Sequence, residues 1–205
     1  MPERKQIPDP TVLRVCTYLR ILEQHEEPTI SSAAIADAAG VNAAQVRKDL
    51  SYFGEFGRPG VGYDVASLAA SLKHLMGLDR ERHVVIVGAG ALGAALVTYP
   101  GFAARGFTVA AIFDNNPAKV GHRLRGYEVM AVGGLAQTVA DERVSIGIIA
   151  VPSSAAQEVA DALVAAKIEA IVNFAPVNLR VPPKVTVRNV DLTQQLEALA
   201  YYLTE

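Results

Sequence analysis

Three features are scarce or missing in this sequence of 205 residues: tryptophan is absent, cysteine occurs once, and no apolar run is long enough to span a membrane. The longest apolar run, Val84 to Val97, contains three glycines, whereas a membrane-spanning helix needs about 20 apolar residues. Cys16 alone cannot form an intrachain disulfide or a multi-cysteine metal site. The first ten residues include four charged ones and no apolar segment follows them, so no secretory signal is expected. We therefore expect a cytoplasmic protein without a membrane segment.

An excess of positive charge is also missing, which bears on any nucleic-acid partner. The chain has 19 Lys and Arg against 21 Asp and Glu, and residues 1–80 have nine against ten. Many DNA-binding domains are basic. A DNA-binding function here would need a small, local basic patch.

The hydrophobic pattern changes near residue 80, and this change predicts a domain boundary. Before it, apolar residues recur at helical spacing; after it, strands and helices alternate. The chain is 51% hydrophobic, which is typical of a folded globular protein, and its length allows one or two domains.

Two helices are predicted at the start of the first segment. Asp9 is the expected N-cap of the first helix, which ends before Pro28. Ser31 or Ser32 caps the second helix, and Gly40 ends it at a position that suits a left-handed residue.

A third helix completes a helix-turn-helix arrangement. Asn42 caps this helix, which runs to about Phe53, and Val46, Leu50 and Phe53 form an inward stripe. The opposite face carries side chains suited to base edges and phosphates: Gln45, Arg47, Lys48, Ser51 and Tyr52. An ordinary three-helix unit with a solvated polar face would show the same pattern. The segment by itself leaves DNA binding open.

A glycine-rich stretch follows the third helix. Residues Glu55 to Tyr63 predict a hairpin, or wing, with Arg58 at its tip, where it could enter a minor groove. A further helix from Val65 to Met76 is expected to link the two domains. Its core residues are predicted to be Leu68, Leu72 and Leu75.

The second segment opens with a dinucleotide-binding pattern. The strand His83 to Val87 is followed at once by a GxGxxG loop and by a helix to about Tyr99. The loop consists of Gly88, Ala89, Gly90, Ala91, Leu92 and Gly93. In this pattern the first glycine allows a tight turn, the second lets a pyrophosphate approach the backbone, and the third allows close packing of helix on strand.

An acidic residue stands where an adenosine ribose is usually recognised. Asp114 ends the next strand, 21 residues beyond Gly93, and can accept hydrogen bonds from both ribose hydroxyls. It would repel a 2′-phosphate, which favours NAD over NADP, although Lys119, Arg123 and Arg125 weaken this preference. Alternatively, Asp114 only forms the turn before the Asn-Asn-Pro that follows it.

Two later strands, Ser145 to Val151 and Ala170 to Phe174, are separated by an alanine-rich helix. Pro152, Asn173 and Phe174 stand at their carboxyl ends, where ligands bind in open parallel sheets. They are candidates for the nicotinamide half of the site, or else ordinary loop residues.

A possible basis for redox discrimination lies near the second of these strands. A pocket lined by Phe174, Ala175 and Pro176, with no carboxylate nearby, would disfavour the cationic oxidised nicotinamide.

The tail predicts one more helix, capped by Asp191. Apolar side chains follow on one side of it: Leu192, Leu196, Leu199, Ala200 and Leu203. This helix closes its own domain or packs on a partner subunit.

Together, these segments resemble the Rex family of redox-sensing transcriptional repressors over nearly the whole chain. The motifs that carry the resemblance are Tyr18–Leu22, Gln45–Gly54, Gly60–Tyr63, Tyr99–Phe102 and Asn173–Pro176. The resemblance implies a homodimer in which NADH binding closes the dimer and releases DNA, while NAD⁺ competes but favours the DNA-bound form. By position, it implies DNA contacts for Arg47, Lys48, Tyr52 and Arg58. It implies redox-sensing contacts for Arg20, Tyr99 and the Asp191 of the other subunit. Some members have an aromatic residue after that Asp, where this chain has Leu192.

The expected fold is α/β, with a winged helix-turn-helix domain over residues 1–79 and a Rossmann-like NAD(H)-binding domain over residues 80–189. Residues 190–205 are expected to form a dimerisation helix that is swapped between subunits. Two-fold symmetry also predicts an inverted-repeat, double-stranded operator.

Two other functions are compatible with parts of the pattern. An NAD-dependent oxidoreductase would use the same glycine loop, but only 31 residues follow Phe174, and the four histidines lie outside the expected cleft. A CoA- or nucleotide-binding module would not need the polar face of the third helix. A measurement of DNA binding would distinguish both of these functions from that of a repressor.

Overall fold

The structure is a computed structural model that describes residues 7–58 and 60–203, and its chain divides into two units between Arg80 and Glu81. Within the described part of the first unit are four helices and two short strands. The helices are α1 (Asp9–Gln24), α2 (Ser32–Ala39), α3 (Ala43–Ser51) and α4 (Val65–Leu75), and the strands are β1 (Thr29–Ile30) and β2 (Tyr63–Asp64).

Side-chain caps explain where α2 and α3 begin. The Ser31 hydroxyl accepts a hydrogen bond from the Ala34 amide, and the Asn42 side chain accepts one from the Gln45 amide at 2.8 Å. Gly40 ends α2 with a φ of 66°, as the sequence predicted. The cap predicted for α1 was wrong by one residue. Pro8 holds the cap position, and its carbonyl accepts the first helical hydrogen bonds, so Asp9 is already in the first turn.

The first unit packs its helices around an apolar core of its own. Val46 and Leu50 are buried in it, but α3 ends at Ser51, and Phe53 lies beyond the helix and is only half-buried. Leu75 was wrongly predicted to be core: it is 42% exposed, because the buried stripe of α4 ends at Leu72. This helix packs against α1, so it is part of the first unit rather than a linker.

The predicted wing is a tighter structure than a two-stranded hairpin over residues 55–63. β1 pairs antiparallel with β2, and a single bridge joins Arg58 to Gly62. Arg58 therefore lies at the base of a turn and not at its tip, while Pro59 falls outside the described residues. Tyr63 anchors the segment, since its side chain is buried in the core of the unit.

The second unit is built on a seven-stranded sheet. Its strands are β3 (Arg82–Val87), β4 (Phe107–Asp114), β5 (Arg123–Leu124), β6 (Tyr127–Ala131), β7 (Ile146–Ile149), β8 (Ala170–Asn173) and β9 (Thr186–Asn189). Its described helices are α5 (Ala91–Val97), α6 (Pro100–Ala103), α7 (Leu135–Asp141), α8 (Ser153–Ala165) and α9 (Leu192–Tyr201), with a 3-10 turn at Val132–Gly134.

The strand order is β5-β6-β4-β3-β7-β8-β9. All neighbouring pairs are parallel except β5 with β6, which form a short hairpin. From β6 to β9 this is the 3-2-1-4-5-6 order of dinucleotide-binding folds. Apolar clusters cover both faces of the sheet, as a parallel sheet requires.

The helix after the glycine loop is shorter than predicted. α5 ends at Val97, and Tyr99 has an extended backbone as the residue before α6. Pro100 explains the break, because proline disfavours a helical residue before it and suits the first position of a new helix.

None of the helices within residues 7–58 and 60–203 is both long and apolar enough to cross a membrane.

Candidate DNA interface and nucleotide cleft

The polar face of α3 is exposed where the sequence predicted a DNA-reading surface. Arg47, Lys48 and Ser51 are exposed, and Tyr52 is partly exposed just past the end of the helix. An Nη of Arg47 donates to the Ser32 hydroxyl at 3.0 Å, which ties the guanidinium to the start of α2. The Ser51 hydroxyl donates to the Lys48 carbonyl at 2.7 Å, so its oxygen is the group left for another partner.

Gln45, the first member of this face, is partly buried. Its Nε2 donates to Oδ1 of Asp49 at 2.8 Å, one helical turn further along. One amide hydrogen of Gln45 is thus used within the protein, whereas the sequence predicted only a contact of this side chain with DNA.

Asp49 is the residue of α3 whose role the sequence did not predict. Its side chain is fully buried and accepts five hydrogen bonds, of which one comes from Gln45 and the others come from α1. Nε and Nη2 of Arg14 donate at 2.6 and 2.7 Å, the Tyr18 hydroxyl at 2.8 Å, and the Thr11 hydroxyl at 3.1 Å. The only sequence signal was an acidic residue at a position that faces the core.

This network keeps Asp49 ionised. Burial opposes the charge, but the hydrogen bonds from Arg14, Tyr18, Gln45 and Thr11 outweigh it and lower the pKa of Asp49 to about 2. Burial and the hydrogen bond to Asp49 raise the pKa of Tyr18 to about 12, so this hydroxyl remains a donor.

In the second unit, the three loop glycines meet different surroundings. A Cβ on Gly88, whose φ is 114°, would lie 2.3 Å from the Ala150 carbonyl oxygen. A Cβ on Gly93 would lie 1.8 Å from the Gly88 carbonyl oxygen, so the close packing predicted there is confirmed. A Cβ on Gly90 would meet nothing within 4 Å. Space is therefore open beside the backbone at Gly90, as the approach of a ligand requires. Of the loop residues between these glycines, Ala89 is buried, and Ala91 and Leu92 are exposed.

Asp114 ends β4 beside this loop and is 6% exposed. Its Oδ2 accepts from the Ala89 amide and from Nζ of Lys119, and its Oδ1 accepts from the Asn116 amide, all at 2.8 Å. Burial opposes ionisation, but these donors, led by Lys119, hold the pKa of Asp114 below its ordinary value. Asp114 thus forms the turn after β4 and also presents a carboxylate beside the glycine loop.

A cleft of about 390 Å³ opens at the carboxyl ends of β3, β4 and β7, where the order of the sheet reverses. It brings together Gly88, Gly90, Asp114 and Pro152, all of which the sequence selected. It also contains Lys119 and Glu158. Glu158 could not be predicted as a cleft residue, because it is one of several polar residues on α8.

Asn173, a predicted site residue, has a structural role in the loop after β8. It is fully buried, its Nδ2 donates to the carbonyls of Ala175 and Val177 and to Oδ1 of Asn189, and its Oδ1 accepts from the Ala175 amide. Its hydrogen-bonding groups are thus used to shape the loop after β8. Phe174 is partly buried against the core of the sheet and does not line the 390 Å³ cleft.

The groove beside this loop is not free of carboxylates. Ala175 and Pro176 line it, and so do Asp191 and Glu197. The expectation of a carboxylate-free pocket is wrong for this part of the site, because Glu197 of α9 and the capping residue Asp191 both line it.

The residues that the family resemblance assigns to redox sensing lie in both units. Arg20 is exposed on α1 in the first unit. Tyr99 is 55% exposed in the second unit and packs edge-to-face on Phe102, with ring centroids 5.2 Å apart. Asp191 caps α9, as predicted, by accepting from the amides of Thr193 and Gln194.

The terminal helix leaves its apolar side chains exposed. Leu192, Leu196 and Leu199 recur at helical spacing, and Leu203, which was predicted to be on the helix, lies in the turn after Tyr201; all four are at least 59% exposed. Apolar stripes of this kind mark interaction surfaces. Within the described part of the chain, no cluster of His, Cys, Asp or Glu could hold a metal ion.

Comparison with known proteins shows that two family models match parts of the chain. The model for a putative DNA-binding protein N-terminus matches residues 6–51, and the model for a CoA binding domain matches residues 79–177.

Relatives that match nearly the whole chain are more specific. The redox-sensing transcriptional repressor Rex of Desulfitobacterium hafniense is 49% identical, over 96% of this chain and 95% of its own. The Rex protein of Streptomyces coelicolor is 49% identical, over 96% of this chain and 77% of its own.

Solved structures agree with these relatives. The crystal structure of RSP with β-NAD⁺ and operator DNA has a TM-score of 0.89 and 40% identity, and covers 97% of this chain and 94% of that one. The structure of RSP with β-NADH has a TM-score of 0.85 and 37% identity, and covers 97% and 95%. These relatives are repressors, which favours a regulator over the oxidoreductase alternative. The chain belongs to the Rex family of redox-sensing transcriptional repressors.

Proposed function

We propose that this protein is a homodimer that binds an inverted-repeat operator and leaves it when NADH binds. The observation that carries the proposal is the presence, in one chain, of an exposed basic helix face in the first unit and a glycine-loop cleft in the second. RSP, which is similar over nearly the whole chain, binds operator DNA together with NAD⁺ and also binds NADH. Such a repressor works in the cytoplasm of the bacteria in which its relatives occur.

The DNA-binding surface of this proposal lies within residues 1–79. Arg47 and Lys48 supply its charge, with Gln45, Ser51 and Tyr52 beside them and Arg58 at the base of the wing turn. Arginine and glutamine suit base edges, and lysine, serine and tyrosine suit phosphates. Because the charge of the unit as a whole is balanced, we expect a modest salt dependence that reflects few phosphate contacts.

The nucleotide site lies within residues 80–189. Gly88 and Gly93 shape the loop, Gly90 leaves room for a pyrophosphate against the start of α5, and Ala89, Ala91 and Leu92 complete the loop. Asp114 is placed to accept the ribose hydroxyls, and Pro152 borders the same cleft. In this proposal, Asn173 and Phe174 support the loop after β8 rather than bind the ligand by hydrogen bonds.

Selectivity for NADH over NAD⁺ needs a source other than an uncharged groove. Asp191 and Glu197 would favour a cationic nicotinamide over a neutral one if they faced it. We therefore assign selectivity to the dimer: NADH binds the closed state in preference to the DNA-bound state and shifts the population. Complete switching needs about 5.5 kcal/mol of differential affinity, which two sites per dimer can share.

The test is a binding titration on the full-length protein. A duplex is first selected by the wild-type protein from a pool of random inverted repeats, and its binding is followed by fluorescence anisotropy at fixed salt. NADH, NAD⁺ and coenzyme A are then titrated separately. Release of DNA by NADH at far lower concentration than by NAD⁺ supports the proposal. Release by coenzyme A alone, or selection of no duplex, would overturn it.

Variants of α3 separate the two activities. Arg47→Ala and Lys48→Ala should each lose operator binding and keep the NADH affinity of the wild type, because both side chains lie in the first unit. Lys73→Ala is the control, since it removes one charge from α4 of the same unit. A parallel loss of NADH affinity in the α3 variants would contradict the separate roles.

A further inference from the structure

The buried hydrogen-bond network around Asp49 reaches the DNA-reading face of α3 through Gln45. We propose that Asp49, which Arg14 holds in place, determines which base Gln45 recognises in DNA. It does so by fixing the orientation of the Gln45 side-chain amide. Asp49 is then a positioning residue that contributes to sequence specificity without contacting DNA. This inference rests on the proposed function.

The geometry of the pair allows only one orientation of the amide. A glutamine amide has a donor side and an acceptor side, and rotation by 180° exchanges them. An ionised carboxylate only accepts hydrogen bonds. Nε2 of Gln45 lies 2.8 Å from Oδ1 of Asp49. The amide nitrogen must face Asp49, because the opposite orientation would bring the Gln45 carbonyl oxygen against the carboxylate oxygen, and both only accept hydrogen bonds.

The carboxylate cannot turn away to relieve this constraint. Its Oδ1 accepts from Thr11, Arg14 and Gln45, and its Oδ2 accepts from Arg14 and Tyr18. The two bonds from Arg14 fix the plane of the carboxyl group. Asp49 is fully buried, so water cannot replace these partners.

The fixed orientation has a consequence for base recognition. Gln45 retains one amide hydrogen and its carbonyl oxygen for an outside partner. An adenine edge offers a donor beside an acceptor in the major groove, which this pair of groups can match. If the amide could rotate, the order of donor and acceptor would no longer be defined, and other edges would be accepted.

The test compares base discrimination in the wild type and in Asp49→Asn. The asparagine is nearly isosteric but can either donate to Gln45 or accept from it. The probes are the selected duplex and all its single-base-pair variants, with each change made in both half-sites. At one base pair, the ratio of the affinities for the selected duplex and for its variants should fall about tenfold in Asp49→Asn. This change is within the range expected for one side-chain contact to a base.

A double-mutant comparison identifies the route of the effect. Gln45→Ala should lose discrimination at the same base pair, and adding Asp49→Asn to it should change nothing further at that position. Tyr18→Phe is the matched control: it removes one donor from the network but leaves the carboxylate and Gln45 in place, so it should retain the preference of the wild type. The proposal is overturned if Asp49→Asn weakens all duplexes equally or keeps the wild-type preference.

A second measurement covers the case in which Asp49→Asn does not fold. In the full-length wild type labelled with ¹⁵N-glutamine, the side-chain amide of Gln45 should exchange its protons more slowly than that of Gln24, which is exposed on α1. Equal exchange rates would overturn the inference. If the wild type selects no duplex at all, the proposed function itself fails, and the two failures are thereby distinguished.

Discussion

At the scale of single residues, two buried carboxylates serve the two units in different ways. The Asp49 carboxylate accepts five hydrogen bonds and cannot accept another. It therefore holds the side chains that donate to it in place. Asp114 has three donors on its two oxygens, which leaves room for about one more hydrogen bond. Two ribose hydroxyls need more than that, so in the proposed complex the Lys119 ammonium would have to move away from Asp114 for both hydroxyls to bind.

We expect Asp114→Ala to weaken NADH binding about tenfold or more, because hydrogen bonds to a charged group contribute roughly 1.5–3 kcal/mol. Calorimetric titration of NADH measures the loss. Operator affinity without nucleotide should be unchanged. Asp141→Ala removes an exposed carboxylate from α7 in the same unit and serves as the control. NADH affinity equal to that of the wild type would remove Asp114 from the site.

The pKa of Asp49 predicts how the first unit responds to acid. A folded-state pKa of about 2, against an ordinary 3.8, means that ionised Asp49 stabilises the folded state. Its contribution is fully present above pH 4 and is lost as the pH falls from about 4 to 2. The loss amounts to roughly 2 kcal/mol. Hydrogen exchange of the backbone amides in α1 and α3 measures this loss of stability in the first unit. It therefore separates the effect of Asp49 from that of Asp114, which titrates in the other unit.

In Asp49→Asn this part of the pH dependence should be absent, while stability at neutral pH is lower than in the wild type. Tyr18→Phe should retain the dependence with a smaller amplitude. An unchanged slope between pH 4 and 2 in Asp49→Asn would show that another group carries it.

At the scale of helices and strands, the residues that begin and end helices were the best guide from sequence to structure. The caps Asn42 and Asp191 and the stop at Gly40 lie where they were predicted, and Ser31 is the one of the two candidate serines that caps α2, since each acts through a local hydrogen bond or backbone angle. The short strands β5, β6 and β9 were not predicted, because their residues do not form long apolar runs and their pairing is non-local.

The same reasoning explains what could be predicted of the site. The glycine loop and Asp114 follow a spacing that the fold imposes, so the sequence revealed them. Asn173 forms three of its four hydrogen bonds with residues two to four positions further along the chain. The role of Asp49 instead depends on partners in α1, up to 38 residues away in the case of Thr11. Nothing in the local pattern indicates such partners.

The loop between β3 and α5 allows a paired test of two glycines. Gly93→Ala should destabilise the second unit by about 2 kcal/mol, because its methyl group would meet backbone at 1.8 Å. Gly90→Ala should leave stability nearly unchanged, since its φ of −89° suits any residue and the space is open. Its NADH affinity should nevertheless fall, because the methyl group occupies the space that the pyrophosphate needs.

Thermal unfolding and NADH titration of both variants check this prediction. If Gly90→Ala binds NADH as the wild type does, the pyrophosphate does not approach the backbone at Gly90.

At the scale of the whole molecule, the exposed stripe of α9 connects the single chain to the proposed dimer. Leu192, Leu196 and Leu199 recur at helical spacing along α9, Leu203 follows in the turn after it, and all four side chains are exposed in the single chain. A second copy of the chain offers the same stripe, which is the condition for a two-fold symmetric interface. A repressor that reads an inverted repeat depends on this interface, because each half-site adds to the affinity only when both subunits are joined.

We therefore expect Leu196→Glu combined with Leu199→Glu to convert the dimer into monomers in sedimentation velocity, because two charges per chain would be buried without partners. The operator affinity should fall sharply when the dimer is lost. Circular dichroism should show that the monomeric chain keeps its fold. Gln194→Glu adds a charge to the opposite side of α9 and should remain dimeric. A double variant that stays dimeric would place the subunit interface elsewhere, and the exposed leucines would then need a different partner.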